Sequence, residues 1–327
     1  MSRRHVLTSG EERRVVDAAI RAPSVLNTQP WRFVFSDDRL EVWEDPDRLL
    51  PDTDPDGRFM AVSCGAAAYN ACLAIRSLGH EAWIQVQPRP QSEHLAAAVH
   101  IGVRRPVASE DFAKFDMIPA RHTARGPYRE WRLPFSLITR LEEAAEAEGA
   151  YFRVLTTHET ERVRHIIQAA EQVEEGERDL DQEMASWIGE RRVEDGIPAA
   201  ALGPRPVDRR TPVRDLDPHG HTGPRDLATF ERRPTLAVLA TPGDSHKDWV
   251  RAGMALECVL LTAALHGVAA SFLNAPVERG DRAQLRSTAL GLEYPQMVLR
   301  LGYPQGGSVP TPRRPAEQVT STGRSRQ

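Results

Sequence analysis

The stretch Ala22-Pro23-Ser24-Val25-Leu26-Asn27-Thr28-Gln29-Pro30-Trp31 crowds three neutral hydrogen-bonding side chains and an indole into one short run. Ser24, Asn27 and Gln29 donate and accept hydrogen bonds without carrying charge. Such a set suits the edge of a flat, uncharged heteroaromatic ring better than a metal ion or a phosphate. Pro, Ser and Asn are also what an ordinary helix stop and turn use, so residue types alone leave both readings open. The flanks must do the positioning. Glu11 to Arg21 has helical character, and Ser9 and Glu12 have the spacing of a capping box, in which two side chains satisfy each other's free backbone N–H groups. Arg32 to Ser36 reads as a strand.

Bulk composition narrows the chemistry. A chain of 327 residues suits one large domain or two coupled ones. Its net charge of −4 argues against nucleic acid as the main ligand. Lys114 and Lys247 are the only lysines. An anion site must therefore be built from arginine, whose planar fork grips phosphate. Cys64, Cys72 and Cys258 are odd in number and lack metal-ligand spacing. Cys64 and Cys72 lie in an apolar helical stretch and read as buried small hydrophobes. A cytoplasmic location follows. The N-terminus shows no signal-peptide pattern, and no apolar run reads as long enough to cross a bilayer. His219-Gly220-His221 has no acidic or cysteine ligands nearby in sequence, so it reads as loop and no metal is expected.

The chain repeats itself. In one half Gly65-Ala66-Ala67-Ala68 lies in a long apolar helix, Arg58 to Leu78, that ends at Gly79. In the other, Gly253-Met254-Ala255-Leu256 lies in a similar helix, Trp249 to His266, that ends at Gly267. The two glycines are fourteen residues apart in both. Each mid-helix glycine lets another backbone approach, and each terminal one suits a left-handed cap. Two unrelated buried helices would share these features, but the order of elements supports a repeat. The first half reads helix, strand Arg32–Ser36, turn Asp37-Asp38-Arg39, strand Leu40–Glu44, long helix, strands Ala82–Val86 and Leu95–Val103. The second reads helix Pro134–Glu148, strand Tyr151–Leu155, an inserted region, strand Thr235–Ala240, long helix, strand Val268–Leu273, helix Arg282–Leu290 and strand Gln296–Leu301. The expected fold is α+β, with two half-domains, residues 1–115 and 116–327, each a mixed sheet with helices. Two helices apolar all round would form their shared core.

A helix ending in Ala-Pro-Ser-x-x-Asn-x-Gln-Pro-Trp and running into a strand resembles the nitroreductase family of flavin enzymes. Members of that family are obligate dimers with two central helices at the interface. The chain is similar to such a dimer fused into one polypeptide, an intramolecular pseudo-dimer, and the resemblance covers nearly all of it. It implies an FMN site built from both halves. Pro23, Ser24, Asn27 and Gln29 would lie against the flavin. Arg121-His122-Thr123-Ala124-Arg125 is similar to the family's Arg-x-Ser-x-Arg phosphate motif, with Thr123 keeping the hydroxyl. Arg121, His122, Thr123 and Arg125 would thus cradle a phosphomonoester that carries nearly two negative charges. Pro312-Arg313-Arg314-Pro315 resembles the basic tail that closes over that phosphate. The turn Gly267-Val268-Ala269-Ala270-Ser271 resembles the family's Gly-Leu-Gly segment, which implies backbone contacts from Gly267, Val268, Ala270 and Ser271 beside the reactive face of the ring. Read locally, the two arginine clusters are equally a solvated turn and a free basic tail.

The strand starts align with shifts of 120 and then 196 residues, leaving a 76-residue insertion at about 160–232. Its start, Glu161 to Trp187, is helix-compatible; the remainder is rich in Pro and Gly. Insertions of this length are usually functional or disordered. The pattern resembles the Acg-type branch of the nitroreductase superfamily, which has a fused dimer, one flavin and a lid over the ring. That implies an oxidoreductase passing hydride from NAD(P)H through flavin N5 to an electron-poor small molecule such as a nitroaromatic or quinone. No catalytic side chain is required, because the cofactor carries the chemistry. The alternative is a lidded FMN store with little turnover. A nucleic-acid or anion-binding module is the third class, made weak by the negative net charge and the lack of interleaved aromatics. With the dimer in one chain, a monomer is expected. The Pro-Ser-x-x-Asn and Arg-x-Thr-x-Arg motifs each occur once, so one FMN per chain is expected. Flavin released from denatured, fully loaded protein should measure one per chain; a ratio near two would overturn the fused-dimer reading.

Overall fold

A computed structural model of the protein describes residues 6–36, 38–208, 210–278, 282–289, 291 and 293–322. The chain opens with helix α1 (Ser9–Ala19), strands β1 (Trp31–Phe35) and β2 (Arg39–Glu44), helix α2 (Arg58–Ser77), and strands β3 (His80–Val86) and β4 (Leu95–Arg104). Helices α3 (Ser109–Met117) and α4 (Phe135–Glu146) and strand β5 (Tyr151–Val154) follow. Next come α5 (Thr157–Glu175), α6 (Arg178–Ser186) and the short pair β6 (Arg205–Pro206) and β7 (Leu227–Ala228). The remainder is β8 (Thr235–Thr241), α7 (His246–Leu265), β9 (Ala269–Phe272), α8 (Ala275–Glu278), α9 (Arg282–Ala289), β10 (Tyr294–Gly302), α10 (Ala316–Val319) and β11 (Thr320–Thr322). Asp37 of the expected turn and Leu290 of the expected helix lie outside the described residues.

Two sheets carry the fold. One has the order β11-β1-β2-β4-β3, the other β5-β8-β10-β9. With β1, β2, β3 and β4 set against β5, β8, β9 and β10, the two orders are the same. A mixed sheet in each half was expected. The first sheet is mixed only because β11 runs parallel to β1, and the second is antiparallel throughout. Strand β11 carries the end of the described chain onto the first sheet, so the tail expected with the second half crosses to the first. The insertion lies between β5 and β8, where the first half has the short turn between β1 and β2.

Several boundaries depart from expectation for local reasons. The capping box of α1 is Thr8 with Glu11, not Ser9 with Glu12: Glu11 takes the Thr8 backbone N–H at 2.8 Å. Helix α3, unexpected from sequence, fills the link between the halves. Helix α2 is 20 residues long and apolar enough by composition to cross a membrane, contrary to expectation, yet its apolar stretch is wholly buried. Its first turn is held by Asp54, whose carboxylate accepts the N–H groups of Phe59 and Met60, both at 2.9 Å.

The core centres on α2 and α7, which cross backbone to backbone. A Cβ on Gly65 would sit 2.0 Å from the Val250 carbonyl oxygen, and one on Gly253 1.9 Å from that of Val62. Gly79 and Gly267 take the expected left-handed caps, at φ 81° and 70°. Gly65→Ala or Gly253→Ala should cost about 3 kcal/mol or more, since neither helix can retreat without unpacking the other. Gly10→Ala, where an added Cβ meets nothing within 4 Å, should leave the denaturation midpoint unchanged or slightly raised.

Candidate functional site

After α1 the chain enters a strained turn. Leu26, Asn27 and Gln29 take φ of 45°, 56° and 51°, in the left-handed region that side chains other than glycine rarely adopt. Contacts from distant segments hold them there. The Asn27 amide donates to the carbonyls of Gly196 (2.8 Å) and Pro312 (3.0 Å), and its oxygen accepts from Arg313 (3.1 Å). Gln29 donates to the Glu194 carbonyl at 2.9 Å and accepts the Arg314 N–H at 2.8 Å. Arg48 joins Asp195 (2.9 Å) and the Thr28 carbonyl (2.6 Å). Leu26 enters a small core with Leu50, Leu180, Met184, Ile188 and Ile197. Both amides expected at a ring edge are therefore spent on the main chain of the insertion and the tail. Ser24 Oγ accepts the Gln29 N–H at 3.0 Å and keeps its proton to give.

A cavity opens beside this turn. Of the residues expected at a binding site, Pro23, Ser24, Asn27, Arg121, His122, Thr123, Arg125, Ser271 and Arg313 line it. Gln29, Gly267, Val268, Ala270 and Arg314 do not. Gln29 is fully buried and spent on the Glu194 carbonyl and the Arg314 N–H. Gly267 caps α7 and Val268 is in the core. Ala270 uses its carbonyl to accept the Ala124 N–H at 2.9 Å, which ties the 121–125 segment to β9. The Arg314 guanidinium turns towards the Gln29 carbonyl (3.4 Å) and Asp45 (3.9 Å).

Positive charge gathers at one part of the wall. Arg121 donates to the Arg21 carbonyl at 2.9 Å, and its Nε lies 3.4 Å from Glu257, which is fully buried on α7. Burial pushes the Glu257 carboxyl up, and Arg121 draws it back. Burial, then Arg121 and Arg21, bring Arg313 down to about 9. Burial and the same arginines, with Arg313, depress His122. Arg21, Arg121, Arg313 and His122 thus act on one another, and Arg121 and Arg313 act on the buried Glu257 carboxylate. Arg125 does not join them as expected: it donates to the Ala201 carbonyl at 3.0 Å, and burial alone lowers it, to about 10, beside Tyr128.

Sequence reading missed the residues that brace this wall. Arg300, fully buried on β10, donates to Ser271 Oγ (3.1 Å), Glu231 (3.1 Å) and the Gly126 carbonyl (2.7 Å). Glu231 in turn accepts the Tyr128 N–H at 2.9 Å. A lone arginine in an apolar strand and a lone glutamate in an apolar helix were the available signals for Arg300 and Glu257. Met184, Ile197, Val213, Arg214 and Leu216 of the insertion also line the cavity. His219 and His221 sit in a turn but do have an acidic neighbour: both face Asp181 on α6, at 3.7 and 3.1 Å. Among the described residues no group of three or more His, Cys, Asp or Glu side chains could hold a metal. The cysteines are free and buried, and burial raises Cys72 to about 12.

His122 gives a pH test of the cation cluster. Its folded-state pKa lies below the unfolded value, so the unfolded chain binds the proton more readily. Stability should fall as pH drops from neutrality through the unfolded histidine pKa of about 6.5. His122→Gln should flatten that slope in thermal melts. A dianion such as inorganic phosphate should reduce it in the unsubstituted protein.

No family model matches the chain. A Mycobacterium tuberculosis protein provisionally named NAD(P)H nitroreductase is 33% identical over 314 residues, covering 94% of this chain and 90% of that protein. A second from the same organism, provisionally named NAD(P)H nitroreductase acg, is 29% identical over 326 residues, 96% of each chain. Among solved structures, the FMN-dependent nitroreductase NfnB from Mycobacterium smegmatis in complex with NADPH matches 66% of this chain and all of that one, at 15% identity and a TM-score of 0.41.

Proposed function

From the premise that the chain belongs to the nitroreductase family, in its Acg-like branch, we propose that it is an FMN-binding NAD(P)H oxidoreductase whose cavity takes one flavin. The single observation that carries the site is the excess of cations around Arg121, Arg313 and His122, with Glu257 as their one close carboxylate among the described residues. Burial and its neighbouring arginines hold Arg313 below the usual guanidinium range, and such a crowd of cations favours a dianion, which the phosphate end of FMN is. When bound, the flavin supplies hydride transfer between a nicotinamide donor and an electron-poor acceptor such as a nitroaromatic or quinone.

This chain's residues bind, orient and shield. Arg121, Arg313 and His122 hold the phosphate. Ser24 presents a hydroxyl proton to the cavity. Arg300 and Glu231 fix Ser271 and the 124–128 segment against it. Met184, Ile197, Val213 and Leu216 form an apolar roof that excludes water. The chain works as a fused pseudo-dimer of halves 1–115 and 116–327 and as a monomer, because both halves already contribute to the cavity.

A second reading, an FMN store with little turnover, draws support from the insertion. Residues 194–196 are fastened to the 27–29 turn and to Arg48 by side-chain and main-chain hydrogen bonds, which supports reading the insertion as a closed lid. Anaerobic addition of NADH or NADPH separates the two: an oxidoreductase bleaches, and a store stays yellow.

Removing one charge-assisted contact should weaken phosphate binding by about 1.5–3 kcal/mol, roughly ten- to a hundredfold. Arg313→Gln should therefore lose FMN affinity on that scale, read by flavin fluorescence. It should bind riboflavin, which lacks the phosphate, as the unsubstituted protein does. Equal losses for both flavins would remove Arg313 from the phosphate site.

A further inference from the structure

The cavity wall has a second charged patch, separate from the arginine cluster. Arg214 reaches it from the insertion. Its side chain is only 10% exposed, and its Nη2 meets Glu174 on α5 at 3.1 Å and Glu278 on α8 at 2.6 Å. Its Nη1 is buried and has no hydrogen-bond partner among the described residues. A buried donor left unused is costly until an acceptor reaches it. Phe59, Phe272, Met297, Val213 and Leu216 line the same cavity and give a flat ligand an apolar bed. The local balance is one guanidinium to two carboxylates, the reverse of the excess around Arg121 and Arg313. Glu171 also acts on Arg214.

We propose that Arg214, clamped by Glu174 and Glu278, is a specificity-determining subsite: its Nη1 takes an uncharged acceptor oxygen of the reacting ligand, and the two carboxylates turn anionic ligands away. The guanidinium gives direction, because two carboxylates hold its Nη2 and its Nη1 is left unpaired. The flanking carboxylates cancel its charge, so a sulfonate or carboxylate gains no ion pair there and meets repulsion. A carbonyl or nitro oxygen meets only a donor. The subsite therefore sorts flat acceptors by charge rather than by size.

This inference rests on reading the cavity as a flavin site, and the test separates the two. The FMN-loaded full chain is titrated with 1,4-naphthoquinone and with 1,4-naphthoquinone-2-sulfonate, and binding is read from the perturbed absorption of the oxidised flavin, without turnover. The neutral quinone should bind at least about tenfold tighter, the worth of one hydrogen bond to a charged donor. Glu278→Gln should narrow that gap by relieving the repulsion of the sulfonate. Arg214→Lys, which keeps the charge and loses the unpaired Nη1, should weaken the neutral quinone about tenfold with flavin retained. Equal or tighter binding of the sulfonate, or full quinone affinity in Arg214→Lys, overturns the subsite. Should Arg214→Lys not fold, the two-ligand comparison and Glu278→Gln decide alone. A chain that takes up no flavin overturns the functional reading as well.

Discussion

The close crossing of α2 and α7 is the constraint on which the rest of the molecule depends. Two glycines let the backbones touch, at Gly65 against Val250 and Gly253 against Val62. Helices in such contact cannot rotate or slide independently. What each displays one turn further on is then fixed relative to the other. Helix α7 displays Glu257, fully buried, and α2 displays Asn70, also fully buried. Glu257 anchors Arg121, and through it the cation cluster at the cavity. The position of the cation cluster is thus set by a close contact in the core, not by the loops that carry its arginines.

The loops are assembled around that anchor by main-chain carbonyls. Arg121 is aimed by the carbonyl of Arg21 and Arg125 by that of Ala201. A carbonyl fixes direction without cancelling charge, so the guanidiniums stay available to a ligand. Where carboxylates are used instead, as by Glu174 and Glu278 at Arg214, the charge is spent. The cavity consequently has a cationic part and a compensated part, and the difference lies in what orients each arginine.

Much of this was legible in the sequence and some was not. The paired glycines announced both the helix crossing and the left-handed caps, because only glycine meets either demand. The succession of the main strands along the chain followed from periodicity and from the repeat. Arg121, His122, Thr123 and Arg313, singled out by their motifs, all line the cavity. Gln29 and Arg314 look equally suited by type, yet they bond to each other's segment. That choice depends on where residues 194–196 and 312–314 pass, and no local pattern records it. The same holds for Asp181, which finds His219 and His221 across some forty residues of chain. Parallel β11 was invisible because three residues carry too little pattern to be told from coil.

Three left-handed side-chain-bearing residues within four positions make the 26–29 turn a sprung element. Each such residue costs on the order of 1–3 kcal/mol when nothing holds it. What holds it is the insertion on one side, through Gly196 and Glu194, and the tail on the other, through Pro312 and Arg314. The turn therefore has no conformation of its own to fall back on once either neighbour lifts. Release of the insertion would then loosen the cavity wall in the same event, and the insertion acts less as a door hung on a finished room than as one of the walls that keeps the room standing.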